Sequence, residues 1–303
     1  MKFSPVFYMW TLLFLLITGC SEDENLTAVS KSSTLNEVSL NSEAAQGQNN
    51  VSTGDTEGFL QVHFIDAGQG DAALFQADNT VILVHDDYTG QYDVISYLKE
   101  YGIKKIDLLV GPSPSGESID QFSAVISEFA VEEIWMSGGV SNSRAFEQTV
   151  DVIMSSDLNY YEPRAGEHFD FGSLKVEVIH PESISGDMIS DSLSIRVSYG
   201  NFSFLLTGDI APGGENEILN RGLDLNAQVF IPGRHDSSAQ DAAELLKEIN
   251  PEIAIYNSQE ENTSPEVLDA LEKEGIPVYE TNIHGSLIVK TDGFNEFIIE
   301  DSQ

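Results

Sequence analysis

From about residue 58 onward, short apolar runs that suit strands take turns with segments of helical period, and no other property limits the fold so tightly. Ile106-Asp107-Leu108-Leu109-Val110 fits a buried strand, and Ile119, Phe122, Val125, Ile126 and Phe129 then recur at helical spacing. Further strand candidates are residues 174–180, 193–199, 202–206, 229–231, 253–256 and 286–290; helix candidates are 92–101, 242–249 and 265–274. Strands and helices mixed in this way, over roughly 240 residues, suffice for one large α/β domain with a sizeable core. No G-x-G-x-x-G and no P-loop accompany them, which argues against nucleotide-binding folds.

Element ends are marked as well. Ser118 with Gln121 three positions on reads as a capping box that starts a helix. Ser264, Pro265 and Gly275 read as the N-cap, first residue and terminator of another. Asp66-Ala67-Gly68-Gln69-Gly70-Asp71 joins two strand-like stretches, and its glycines can supply the positive φ of a tight turn.

The chain opens with Met1-Lys2, an apolar stretch from Trp10 through Leu12, Leu13, Phe14, Leu15, Leu16 and Ile17, and then Thr18-Gly19-Cys20. That is a basic start with an apolar core too short to span a bilayer comfortably, the form of a secretory signal. Ile17-Thr18-Gly19-Cys20 resembles the bacterial lipobox, so residues 1–19 are expected to be a lipoprotein signal peptide and Cys20 the lipidated residue. Cys20 is the single cysteine, so no disulfide within the chain can form. From there to residue 57 the chain is rich in Ser, Asn, Glu and Thr without an aromatic residue, the composition of a disordered acidic linker. The expected organisation is signal 1–19, lipidated cysteine and linker 20–57, folded domain 58–297 and tail 298–303, exported and lipid-anchored to the outer face of the cell membrane.

Val62-His63-Phe64-Ile65-Asp66-Ala67-Gly68-Gln69-Gly70-Asp71 and Phe204-Leu205-Leu206-Thr207-Gly208-Asp209 carry a resemblance to the metallo-β-lactamase fold, in particular to ComEC-like hydrolase domains and their soluble relatives. The resemblance covers roughly residues 58–293 and implies an α/β (α+β) four-layer αββα sandwich in a single domain. Its metal-binding motifs are degenerate. Anchored on Pro114, the two leading histidines of the family fall on Ser113 and Ser115, its aspartate on Glu117 and its last histidine on Ser118. The strand-end motif becomes Ile82-Leu83-Val84-His85-Asp86-Asp87, the double-histidine motif Arg234-His235-Asp236-Ser237, and the late histidine Ser264. Of the ligands the resemblance implies, Asp209 and His235 remain.

A catalytic zinc or manganese site needs about three protein ligands and an open position, and serine hydroxyls do not replace imidazoles. Several readings of the position stay open. Glu117, Asp120, Asp209, Asp236 and the Asp86-Asp87 pair suit a weak calcium site or form a solvated acidic rim. Arg234 could lay its guanidinium against Asp209 in place of metal. His85 could join Asp209 and His235 around a single zinc or manganese ion. The expectation is no cofactor. His63, alternating within a strand, is expected to be packed, while His168, His180 and His284 are expected in turns or at the surface.

The formal net charge is −36, with 14 Lys and Arg. Such a chain repels phosphodiester backbones, so nucleic acid is not an expected partner. No G-x-S-x-G elbow supports a serine hydrolase. The reading is a non-catalytic binding or structural lipoprotein, with an exported metal-dependent hydrolase using a rearranged site as the alternative.

Overall fold

Leu60–Asp66 (β1), Asp71–Ala77 (β2) and Thr80–Asp86 (β3) form an antiparallel meander, its second turn made by Asp78 at φ 51° and Asn79. The computed structural model describes residues 58–66, 71–86, 94–114, 119, 121–188, 190–209, 213–233, 238–256, 264–294 and 296–302. All lie in one compact unit, Asn50–Gln303.

The meander continues in parallel through Lys105–Gly111 (β4), Ala130–Met136 (β5) and Asn159–Tyr161 (β6). The crossovers carry Val94–Glu100 (α1), Phe122–Glu128 (α2) and Arg144–Ser155 (α3). A second sheet begins with four antiparallel strands, His168–Phe171 (β7), Leu174–His180 (β8), Ser194–Tyr199 (β9) and Phe202–Leu206 (β10). Val229–Ile231 (β11), Ile253–Tyr256 (β12) and Val278–Glu280 (β13) then add in parallel, separated by Gly214–Asn220 (α4), Ala239–Ile249 (α5) and Pro265–Glu274 (α6). After the short helix Thr281–His284 (α7), the chain returns to the first sheet as Leu287–Thr291 (β14) beside β1 and Phe297–Asp301 (β15) at the edge.

Strand alternation sorts the side chains into three cores. Phe64, Phe75, Ile82 and Val84 meet Val176, Ile195, Phe204 and Ile231 between the sheets. Leu74, Leu83 and Leu109 pack outward against Leu98, Phe122 and Ile153 of the first three helices. Leu205, Phe230 and Ala254 pack outward against Ile218, Leu245 and Leu271 of the next three. The result is the expected αββα sandwich. Phe75 and Phe204 tie its two sheets edge to face at 5.4 Å, a contact worth about 0.5–1.5 kcal/mol beyond the area it buries.

The strand and helix candidates all form, but two boundaries need correction. The capping box placed a helix start at Ser118, whereas α2 begins at Phe122 after Gln121, and Gln121 has αR geometry and makes no side-chain cap. The residues expected as a tail from 298 are mostly strand, because Phe297 and Ile299 turn inward onto the core while β15 pairs with β14.

His63 is packed as expected. It is 1% exposed, with Nδ1 3.0 Å from the Tyr97 hydroxyl and its ring edge-on to Tyr97 and Tyr101. Burial, with Lys290 nearby, pushes its pKa down to about 4, so the ring is neutral at pH 7. His168 and His284 are exposed, as expected. His180 is not: it is 4% exposed at the end of β8, a correction taken up below.

Candidate functional site

Parallel strands in both sheets bring their carboxyl ends to one place, the position where ligands enter α/β folds. There the sheets part around a cavity of about 50 Å³, lined by Phe64, Val84, Val110, Leu193, Ile231 and Ile255 among others. The motifs that carry the resemblance surround it.

Backbone hydrogen bonds close the framework. The Leu193 N–H donates to the Pro112 carbonyl at 2.8 Å and so joins the loop after β4 to the start of β9 in the other sheet. The Thr207 N–H donates to the Ile231 carbonyl at 3.2 Å, and the Gly233 N–H donates to Thr207 Oγ1 at 3.2 Å. The loops after β10 and β11 meet so closely that a Cβ on Gly233 would lie 2.0 Å from the Gly208 carbonyl oxygen. Gly208 itself sits at φ +57°, and a Cβ there would come 2.6 Å from the Leu193 carbonyl oxygen. Thr-Gly-Asp is thus first a backbone clamp, whose glycine is required by close approach as well as by φ.

Asp209 emerges from this clamp half-buried, and its N–H donates to Ser192 Oγ at 3.2 Å. Behind it stands a set of polar groups that sequence reasoning missed. The Ser192 carbonyl lies 2.9 Å from His180 Nδ1, which fixes the proton on that nitrogen when the ring is neutral. Burial holds the His180 pKa below the ordinary histidine range, while Nε2 lies 3.9 Å from the Glu217 carboxylate. Asp191, fully buried, accepts from the N–H groups of Ser185 and Gly186 at 2.7 and 2.8 Å and folds the loop after Pro181 back on itself. A histidine before proline at a strand end looks like a turn residue. Its bond to a loop twelve residues on is what buries it.

The candidate ligands separate into three groups. Ser115, Glu117, Ser118, Asp120, Arg234, His235 and Asp236 lie outside the described residues, as do Asp87 and Cys20. Ser113 and Ser264 are both buried, and Ser264 is the N-cap of α6: its Oγ accepts from the Glu266 N–H at 3.2 Å and donates to the Glu266 carboxylate at 2.7 Å. That bond holds the Glu266 carboxyl below its usual range.

His85, the third group, lies on the face of β3 that packs toward the first three helices. It falls in one cross-strand row with Ile65 and Ala72, both members of the outward core, and its ring stacks on Phe122 at 6.1 Å. The next row, Asp66, Asp71 and Asp86, places three aspartate positions side by side at the strand ends. Counting by twos from Leu83 would have shown the first fact in the sequence, while the second needs the register between strands. Among the described residues no group of three or more His, Cys, Asp or Glu side chains is placed to hold a metal ion. Nor, among them, is any helix long and apolar enough to cross a membrane.

No family model matches the chain. It is similar to ComE operon protein 3 of Bacillus subtilis (strain 168), 23% identical over 251 residues that cover 75% of this chain and 32% of the relative. It is similar also to Competence protein ComA of Neisseria gonorrhoeae, 24% identical over 233 residues, 73% of this chain and 31% of that protein.

This chain has a ComEC-like metallo-β-lactamase fold.

The ComEC-like domain spans about a third of the length of each of these relatives. Among solved structures, the CmlA beta-hydroxylase E377D mutant matches with a TM-score of 0.54 at 10% identity, over 77% of this chain and 54% of that one. The metallo-beta-lactamase fold protein YhfI from Bacillus subtilis matches at 0.47 and 15%, over 73% of this chain and 95% of its own. At 10% identity the match to the beta-hydroxylase speaks of fold alone.

Proposed function

We propose that this protein is an exported lipoprotein, anchored at Cys20 to the outer face of the cell membrane, whose ComEC-like domain is a non-catalytic binding or structural module. The observation that carries the reading is the donor chemistry of the ligand positions. Ser113, Ser115, Ser118, Arg234 and Ser264 stand where the resemblance implies histidines, and the one whose hydroxyl partners are resolved, Ser264, is engaged with the Glu266 N–H and carboxylate. A hydroxyl that caps a helix and a guanidinium that is always cationic do not assemble an imidazole and carboxylate site for zinc or manganese. No catalytic step is therefore assigned to a metal here. The −36 charge disfavours polyanionic partners and leaves a small molecule or protein as the object of binding.

Element-resolved metal analysis of the purified full-length chain, beside a phosphodiesterase assay in manganese, tests this. The expected result is metal well below one equivalent and no turnover. Stoichiometric metal, with turnover abolished by His235→Ala, would replace the reading with a metal-dependent hydrolase. Anchoring is read separately: Cys20→Ser should release the protein from the membrane fraction.

A further inference from the structure

The seven lysines that follow Gly58 all lie at one end of the sandwich, the end opposite the candidate site. There β1, β4 and β8 begin, and there the turns between β2 and β3, β7 and β8, β9 and β10, and β14 and β15 lie. Ser173 Oγ donates to the Asp78 carboxylate at 2.9 Å and the Asn201 N–H to the Gly293 carbonyl at 2.6 Å, so the turns are tied to one another. Lys104 and Lys105 stand at the start of β4, Lys175 at the start of β8, and Lys290 across from Gln61 near the end of β14. Lys99, Lys247 and Lys273 stand in the last turns of α1, α5 and α6, which run back from the site end. The helix macrodipole accounts for those three and does not reach the other four.

Lys99, Lys105 and Lys290 pair with carboxylates at 2.6, 2.7 and 2.6 Å. Lys104, Lys175, Lys247 and Lys273 are exposed and make no ion pair among the described residues. Two further observations fall at the same end. Phe59, Phe294 and Ile298 are 51%, 64% and 54% exposed, and Phe59 and Ile298 line a groove with Lys290. The chain also enters here: the Gly58 N–H donates to the Asp78 carboxylate at 3.4 Å, so the linker read as leading from Cys20 joins the domain at its lysine end. The site end carries Asp66, Asp86, Glu182, Asp187, Asp209 and Glu217 and no lysine.

We propose that the end of the domain carrying the lysines, Phe59 and Phe294 docks on the anionic lipid surface that holds the anchor, so that the candidate site faces outward, away from the membrane. The proposal rests on reading the protein as a lipoprotein and adds which way its binding module faces. A charge of −36 keeps the free chain from collecting on such a surface out of solution. A leash removes that obstacle by holding the domain at high effective concentration beside the lipid, and orientation is what remains to be decided. The lysine end is drawn to lipid phosphates, its exposed rings seat at headgroup level, and the carboxylate-rich site end is repelled. Carboxylates stand among the lysines as well, so the attraction is modest and salt screens it.

In the test the full-length chain is coupled through the Cys20 thiol, its single thiol, to a maleimide-bearing lipid in vesicles of phosphatidylglycerol or of phosphatidylcholine. Acetylation by an uncharged N-hydroxysuccinimide ester is followed lysine by lysine with mass spectrometry. Lys104, Lys175 and Lys290 should react about threefold more slowly on phosphatidylglycerol than on phosphatidylcholine, and about 1 M salt should remove the difference. Amide hydrogen exchange of residues 182–187, at the site end, should be the same on both lipids. Lys104→Gln combined with Lys175→Gln should return Lys290 to the faster rate, and Phe59→Ser combined with Phe294→Ser should do so in part. Equal acetylation on the two lipids, or protection of both ends alike, overturns the proposal. Protection that grows with the number of chains per vesicle means that copies of the chain cover this end, and overturns it too. If a variant fails to fold, the wild-type comparison of the two lipids still decides. The tether is chemical, so these outcomes do not depend on whether cells lipidate Cys20, which the membrane release of Cys20→Ser tests alone.

Discussion

Two helices begin next to positions where the resemblance implies metal ligands, and they begin in opposite ways. At α6 every local signal agrees: Ser264 caps the Glu266 N–H, Pro265 takes the first helical position, and Gly275 ends the helix at φ 71°. At α2 the local signals mislead. The first residue follows an uncapped Gln121, and the helix is placed by Phe122, which is fully buried under β3 and β4. A Cβ on Gly111 would come 2.8 Å from the Phe122 ring, so the glycine at the end of β4 makes the space that the ring fills. One helix start is specified by hydrogen bonds and the other by volume. A serine where the resemblance implies a ligand thus has a local task in one case, while in the other the start of the helix is set by a neighbour.

The sharpest way to break this contrast is Phe122→Ala. Removing a fully buried ring costs about 3–5 kcal/mol, and chemical denaturation of the variant should show a loss in that range. A loss near 1 kcal/mol would mean that α2 is not anchored by packing. Ser264→Ala should cost about 1 kcal/mol, the usual worth of a capping hydroxyl, with Ser264→Asp recovering most of it. If Ser264→Ala proves neutral in the same measurement, the capping role is wrong.

A smaller effect concerns pH. The Ser264 hydroxyl holds the Glu266 carboxyl below its usual range, so the bond supports the fold above the ordinary carboxylate pKa and is lost as pH falls through the depressed folded value. Titration of Glu266 by carboxyl-detected NMR should therefore move up toward the ordinary range in Ser264→Ala. An unchanged titration would separate the two groups. Gln121→Ala is the smallest, expected within about 0.5 kcal/mol of wild type, because Gln121 supplies no cap. A loss as large as that of Ser264→Ala would erase the contrast.

The layered fold was legible because strand and helix periods write themselves into apolar spacing, and the three cores follow from alternation along β1, β3 and β10. The same rule, carried one residue further, would have turned His85 toward α2 with Leu83. What the sequence could not disclose were long-range backbone bonds. His180 looks like a turn residue until the Ser192 carbonyl is opposite it. Ser118 and Gln121 have the spacing of a capping box, but the volume of Phe122 overrides it. Local grammar predicts the elements; contacts between distant segments decide what the elements do.

The closeness of Gly208 and Gly233 has a consequence of another kind. Two loops that touch backbone to backbone have no slack, so the path of the chain through Gly208 and Gly233 is set independently of the side chains beside them. Substitution at the neighbouring positions can therefore exchange imidazole for hydroxyl or guanidinium without asking the rim to move. An architecture of that sort is free to retire one chemistry and take up another while its outline stays the same.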